Sequence, residues 1–186
     1  MEEIQLYLDE AKESMEKAIK HLVGELLKIR AGKASANMLD SIMVDYYGSS
    51  TPLNQTASVT TPDARTLMVK PWEKSLIPEI EKAIINSDLG LNPQNDGEQV
   101  IINIPILTEE RRQALVKQVK HEGELGKISI RNARKETNDA LKQLQKDGAS
   151  EDDIKRAEDQ VQQLTDEHTK KVDDILHKKE EEIMTV

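Results

Sequence analysis

The first 30 residues carry apolar side chains at steps of three or four positions. This spacing places them on one stripe of an α-helix and leaves charged residues on the remaining surface. At about 1.5 Å per residue, such a helix would be roughly 40 Å long. A helix of this kind is stable only when its stripe is buried, so the pattern predicts packing against other helices. The stripe consists of Ile4, Leu8, Ala11, Met15, Ala18, Leu22, Leu26 and Ile29.

Two segments toward the C-terminus, residues 108–148 and 150–183, show the same periodicity. The first contains Gly123 and Gly126 on its apolar stripe, where they either bend the helix or permit the close approach of another one. Three long helices with narrow apolar stripes predict an elongated antiparallel three-helix bundle.

The middle of the chain has a different pattern, in which β-branched residues alternate with polar ones and all six prolines occur. It predicts strand 42–47, strand 57–60, strand 66–70, helix 75–87 and strand 100–104. The fold class is therefore α+β. We predict that residues 1–30 and 106–186 form the bundle and that residues 31–105 form a small inserted β/α/β domain.

The inserted domain is joined to the bundle by two short links. Gly32 permits wide backbone torsions in the first link, whereas Pro105 stiffens the second. Two covalent links restrict motion between domains without abolishing it, although a plain pair of turns explains the residues equally well. We predict a hinge formed by Arg30, Ala31, Gly32, Lys33, Ile104 and Pro105.

Charge is distributed unevenly along a chain whose net charge is −9. In residues 108–146, ten Lys and Arg against six Asp and Glu give +4, whereas in residues 147–186 six against thirteen give −7. A polyanion would be attracted to one helix and repelled by most of the molecule. The alternative is a solvated helix face that is neutralised by acidic neighbours on the third helix.

The positive charge is densest between residues 127 and 135. Lys127, Arg131, Arg134 and Lys135 stand at i, i+4, i+7 and i+8, so they share one helix face over about two turns. Such a face can follow a phosphate backbone, and it predicts a nucleic-acid interface.

Candidate catalytic or metal-binding residues are scarce. The chain has no cysteine, and its four histidines lie on predicted helices without metal-ligand spacing. His168 falls on an apolar stripe, where a buried or interface role is favoured over chemistry. Neither a glycine-rich phosphate loop nor a nucleophile elbow is present. We therefore expect no enzyme activity, metal or cofactor.

The start of the chain is acidic, unlike a signal or transit peptide. Apolar runs stay far shorter than the roughly 18 residues that a membrane-spanning helix requires. We expect a soluble cytoplasmic protein without a membrane partner.

Six short motifs follow one another along nearly the whole chain. They are Asp45-Tyr46-Tyr47-Gly48, Thr61-Pro62-Asp63-Ala64-Arg65, Glu81-Lys82-Ala83-Ile84, Ser87-Asp88-Leu89-Gly90-Leu91-Asn92-Pro93, Leu107-Thr108-Glu109-Glu110-Arg111-Arg112 and Ile130-Arg131-Asn132-Ala133-Arg134. In this order they closely resemble the ribosome recycling factor family. The family usually has arginine where Lys33 and Lys135 stand, and lysine offers a point charge instead of a planar fork.

The resemblance implies an L-shaped protein of two domains that acts on the ribosome after translation termination. It implies binding to the large ribosomal subunit and its 23S-type rRNA. Elongation factor G with GTP then splits the subunits, and mRNA and tRNA are released, while the factor itself hydrolyses nothing. The residues expected to bind rRNA are Lys127, Arg131, Asn132, Arg134 and Lys135.

We expect the factor to be a monomer. The competing hypothesis is a helical scaffold or chaperone-like module that binds protein through its apolar seams, with the cationic face merely solvated. An enzyme is a distant third hypothesis.

Overall fold

The computed structural model describes residues 2–185. Its α-helices are α1 (Glu2–Lys28), α2 (Leu53–Thr56), α3 (Ile77–Ile85), α4 (Glu109–Lys146) and α5 (Glu151–Met184). Its strands are β1 (Met43–Tyr46), β2 (Ser49–Pro52), β3 (Ala57–Asp63), β4 (Thr66–Pro71), β5 (Pro93–Asn95) and β6 (Val100–Asn103). The predicted α+β class, with long helices and a small sheet-containing unit, is confirmed.

The chain divides into two compact units. The first, which we call the bundle, comprises residues 2–31 and 109–185, and the second, the inserted unit, comprises residues 32–108. The chain therefore rejoins the bundle at residue 109, three residues later than the expected position 106.

The bundle is built from α1, α4 and α5, which pack through narrow apolar stripes. Near the start of α1, Leu8 shares a buried cluster with Leu141 of α4. Near its end, Leu22 lies against Gly126 of the same partner helix. These contacts show that α1 and α4 run antiparallel, as predicted. Burying each large aliphatic side chain contributes about 1.5–3 kcal/mol to the stability of the folded protein.

The α4–α5 contact explains one of the two seam glycines. α4 is continuous through both of them, and a Cβ atom on Gly123 would collide with the Leu176 side chain, whose Cδ2 atom would be 2.8 Å away. A Cβ atom on Gly126 would make only ordinary contacts, 3.5 Å from Leu22 Cδ2. Gly123 therefore permits the close approach of α5, whereas the packing at Gly126 leaves room for a methyl group.

A polar residue lies within the seam of α5. His168 is 1% exposed, and its Nδ1 atom is 2.7 Å from the backbone oxygen of Leu164. Because a carbonyl oxygen can only accept, Nδ1 carries the proton and donates it. Within residues 2–185, the buried Nε2 atom has no hydrogen-bond partner. Of the buried and interface roles that the sequence leaves open for His168, the structure shows the buried one.

The inserted unit contains a two-stranded sheet, β1–β2, and a four-stranded sheet in the order β3-β4-β6-β5, with all pairs antiparallel. In the centre of the larger sheet, Leu67 pairs with Ile102 and Val69 pairs with Val100, and all four side chains are fully buried. α3 is amphipathic and adds Ile77, Ile80 and Ile84 to the same core.

The predicted strand 42–47 is present as β1, but the sequence did not predict β2, with which it forms a hairpin. Its turn has positive φ at Tyr47 (48°) and Gly48 (86°), and Tyr is rarely found in this conformation. The Tyr47 hydroxyl donates a 2.7 Å hydrogen bond to Glu73, and its ring packs edge-to-face on Tyr46. The Glu73 carboxylate also raises the pKa of the Tyr46 phenol above its ordinary value. Long-range contacts therefore hold a turn that local preference disfavours.

Both links are tied to the β3–β4 turn. Ala34 donates its backbone N–H to Ala64 O, and Ile104 donates its own to Arg65 O, each at 2.7 Å. The turn itself is held by Asp63, whose pKa is lowered by the backbone N–H of Arg65 and the Thr66 hydroxyl. The chain segments that enter and leave the inserted unit are therefore anchored at neighbouring positions.

The two seam glycines give a matched pair of substitutions. Gly126→Ala should raise the unfolding temperature by about 2–4 °C, because alanine favours the helix by about 1 kcal/mol and its methyl group fits. Gly123→Ala should not reach this gain, since the new methyl group displaces Leu176. Thermal unfolding followed by circular dichroism measures both.

A Leu176→Ala variant separates the two effects of Gly123→Ala, which are the steric clash with Leu176 and the gain in helix propensity. In a Leu176→Ala chain the obstacle is gone, so Gly123→Ala should then stabilise the protein relative to that background. Equal stabilisation by both glycine substitutions in the native background would contradict the close-approach assignment.

Candidate nucleic-acid interface

The cationic segment lies in the middle of α4, next to the buried seam. Ile130 and Ala133 are buried, so the rotation of the helix turns the residues beside them toward the surface. Lys127 and Arg134 are half-buried, whereas Arg131 is exposed. The spacing predicted from the sequence is therefore present on one helix, beside α5.

Lys127 is already paired with α5. Its Nζ atom is 2.6 Å from Asp173 Oδ1, and its side chain is 27% exposed. Such a pair neutralises most of the local charge of the lysine. For this one residue, the alternative of an acidic neighbour on the third helix describes the structure correctly.

The two arginines have weaker contacts with acidic side chains than Lys127 has. Arg131 Nη2 lies 3.5 Å from Glu124 Oε2, and both side chains are largely exposed, so the pair is weak. Arg134 Nη1 donates a 3.3 Å hydrogen bond to Gln162 Oε1 of α5. An amide orients the guanidinium without neutralising it, so Arg134 keeps both its charge and a fixed direction.

Lys135 and Asn132 are both exposed. Among the residues that the structure describes, neither side chain has a recorded hydrogen bond or ion pair. A helix turns by about 100° per residue, which places Asn132 about 100° around the axis from Arg131 and about 160° from Arg134. The structure thus brings the four cations together on one face, while Asn132 lies beside Lys135 at the edge of that face.

Two exposed apolar side chains near the cationic face escaped the sequence analysis. Leu125 and Ile128 are each 45% exposed on the outer surface of α4. They fall off the stripe formed by Gly123, Gly126 and Ile130, and this offset could have identified them as surface residues.

Within residues 2–185, no helix combines the length and apolar character needed to cross a bilayer. In the same part of the chain, no group of three or more histidine and acidic side chains is arranged so that it could hold a metal ion.

The structure defines an α+β protein whose 38-residue helix α4 carries four cations on one face. The sequence model of the family described as "Ribosome recycling factor" matches residues 22–184. The chain belongs to the ribosome recycling factor family, whose members are translation factors.

Individual relatives agree with this assignment over the full length. A ribosome-recycling factor from Cytophaga hutchinsonii is 61% identical over 186 residues, and one from Amoebophilus asiaticus is 60% identical; the alignments cover 100% of both chains in each case. The solution structure of a ribosome recycling factor superposes with a TM-score of 0.78 at 34% identity, covering 100% of both chains.

A second solved structure shows a relative in its complex. It gives models for the T. thermophilus ribosome recycling factor and the E. coli elongation factor G bound to the E. coli post-termination complex. That factor is 46% identical to this chain, with a TM-score of 0.62 and coverage of 97% of this chain and 98% of the other.

Double-mutant cycles can measure how strongly Lys127 and Arg131 are each coupled to their carboxylate partners, in terms of the free energy of unfolding. The Lys127–Asp173 pair should show a coupling of about 0.2–1 kcal/mol that shrinks in high salt, and the Arg131–Glu124 pair a coupling near zero. Urea unfolding of the single and double alanine variants at low and high salt gives both values. A stronger coupling for Arg131–Glu124 would show that its charge is not available to a ligand.

Proposed function

We propose that this chain performs the function for which the ribosome recycling factor family is named. It binds the post-termination ribosome and, with elongation factor G and GTP, splits the subunits and releases mRNA and tRNA. The observation that carries the proposal is the pair Arg131 and Arg134, which share one face of α4. Arg131 has only an exposed carboxylate contact at 3.5 Å, and Arg134 is hydrogen-bonded to an uncharged amide. Family membership over nearly the whole chain supports the same conclusion.

The proposed ligand of this face is the 23S-type rRNA of the large subunit. Contacts to phosphate position a protein and do not read sequence, which suits a factor that must dock in one place. The arginines can form planar two-point contacts with phosphate, whereas Lys135 offers a point charge. Asn132 can add a hydrogen bond at the edge of the face. Lys127 contributes least, because Asp173 already neutralises it.

The proposed mechanism uses this chain as a mechanical element. GTP is hydrolysed by elongation factor G, and this chain catalyses no reaction. α4 has 38 residues and is therefore about 57 Å long, and packing along its whole length makes it stiff. A bundle held on rRNA at its middle can transmit a displacement to the subunit interface.

The displacement is proposed to enter through the inserted unit, which pivots on the two links. Gly32 adopts φ 72°, and a Cβ atom there would be 2.6 Å from Leu107 Cγ, so no other residue fits easily. Ile104 is buried and hydrogen-bonded to Arg65. Because Ile104 is fixed in this way, we leave it out of the moving part of the proposed hinge. The moving part then consists of Arg30, Ala31, Gly32, Lys33 and Pro105. The factor is proposed to act as a cytoplasmic monomer.

The function is tested by release of mRNA and tRNA from post-termination complexes with elongation factor G and GTP. The native chain should support release, and an Arg131→Ala/Arg134→Ala variant should not. Its affinity for isolated large subunits should fall by at least tenfold. The slope of log affinity against log salt should decrease by about 2, because two phosphate contacts are lost. Thermal unfolding should change little.

A matched control is Lys170→Ala/Lys171→Ala, which removes the same charge from exposed positions on α5. It should release mRNA and tRNA like the native chain. If the control were equally defective, net charge and not the α4 face would be responsible. If the native chain itself failed with a cognate partner, the proposed function would be wrong.

The proposed pivot has a separate test. Inserting two glycines after Ala31 and two after Ile106 lengthens both links, so a push on the inserted unit is taken up by slack chain. Binding to large subunits should remain within about twofold of native, while subunit splitting, followed by light scattering, should slow by at least tenfold.

The control places two glycines in the exposed turn at Gly97, which lies inside the inserted unit. This variant should split subunits at the native rate. Unchanged splitting by the chain with lengthened links would remove the pivot from the mechanism.

A further inference from the structure

The inserted unit carries a groove of about 320 Å³ that the proposed function does not use. Its floor is apolar, because Leu39 and Ala57 line it and are almost fully buried. Trp72 lines it too, and polar groups are provided by Asp40 and Asn54.

The backbone of Trp72 is anchored by the sheet, whereas its indole ring is exposed. Its N–H donates a 3.1 Å hydrogen bond to Thr56 O, and the preceding residue, Pro71, pairs with Ala57 in the sheet. Its side chain nevertheless is 68% exposed, although it is the only tryptophan of the chain. An exposed indole on an anchored backbone, beside an apolar floor, is typical of a contact site, since aromatic side chains provide much of the energy in interfaces.

Charge limits what the groove can accept. Asp40 is exposed, and no hydrogen bond or ion pair of its carboxylate is recorded within residues 2–185. Residues 31–107 carry five Lys and Arg against nine Asp and Glu, which gives −4. A phosphate-bearing ligand would be repelled here, whereas a cation would be attracted.

We propose that this groove binds an arginine side chain of a protein partner. The guanidinium stacks on the Trp72 ring and pairs with the Asp40 carboxylate, while the aliphatic stem covers Leu39 and Ala57. Arginine fits better than lysine, because a planar guanidinium both stacks on an indole and forms a two-point contact with a carboxylate. The volume lies near the lower end of the range for ligand pockets, roughly 300–1,000 Å³, which suits one long side chain.

The Asn54 amide adds a donor and an acceptor for the backbone of the same segment. The proposed occupant is therefore a short stretch of a basic protein that presents one arginine. This inference goes beyond the proposed function and does not depend on it, because it concerns a different unit and a different class of ligand from the α4 face.

The single tryptophan gives a specific readout. The full chain labelled with ¹⁵N is titrated with a capped pentapeptide that carries one arginine between alanines, and the indole N–H signal of Trp72 is followed by NMR. A saturable shift is expected, with a dissociation constant on the order of millimolar for a single side chain. The same peptide with citrulline, which has the shape of arginine without its charge, should bind at least tenfold more weakly.

Two variants test the assigned roles. Asp40→Asn should weaken arginine binding by at least threefold and remove most of the preference over citrulline. Asp88→Asn changes the charge of the inserted unit equally at an exposed position outside the groove, and it should bind like the native chain. Trp72→Leu should abolish saturable binding, read from the backbone amide signal of Ser58 in the groove. Unchanged circular dichroism would show that both groove variants are folded.

Several outcomes would overturn the proposal. Equal binding of the citrulline peptide, or of one carrying norleucine, would assign the groove to an apolar ligand. A larger saturable shift with uridine or adenosine monophosphate would assign it to a nucleotide. Absence of saturation with the arginine peptide at tens of millimolar would show that it is no site at all. None of these results involves a ribosome, so they leave the recycling proposal to its own test.

Discussion

Burial of one narrow apolar seam is the constraint on which the rest of this structure depends. α1, α4 and α5 each present a single apolar stripe, and none of them is expected to be stable alone. α1 precedes the inserted unit and the other two follow it. The seam can therefore close only if the inserted unit returns the chain near its point of departure. Hydrogen bonds from Ala34 and Ile104 to adjacent residues of the β3–β4 turn meet this requirement, and the Asp63 carboxylate stabilises that turn.

The sequence predicts the bundle well, because a stripe repeated over many helical turns is a strong pattern. The long helices were located nearly to the residue, whereas the position of His168 on the stripe left a buried and an interface role open. The inserted unit was predicted less completely. β2 and β5 are short edge strands that contain Pro52 and Pro93, residues disfavoured in strands. The turn at Tyr47 was missed because its conformation depends on Glu73, which lies 26 positions away.

The candidate site divides in the same way. Spacing alone places four cations on one face of α4, so the face could be predicted from the sequence. The residues that contact these cations could not be predicted. Lys127 pairs with Asp173 and Arg134 with Gln162, and both contacts depend on how α5 is rotated against α4. These contacts change the ranking of the cations, with the arginines ahead of Lys127. The groove at Trp72 was beyond sequence reasoning, because it joins residues from four separate parts of the inserted unit.

The cleft left by the missing side chain at Gly123 has a mechanical consequence. Leu176 of α5 occupies the space that a Cβ atom would fill there. If α5 slid by one helical turn toward the start of α4, Leu176 would meet Val119, which is fully buried and leaves no such space. Steric interlocking therefore opposes sliding in that direction, in addition to the loss of apolar contact. Under an axial load this contact makes the two helices resist shear, so Gly123 helps to set the longitudinal register of α5 against α4.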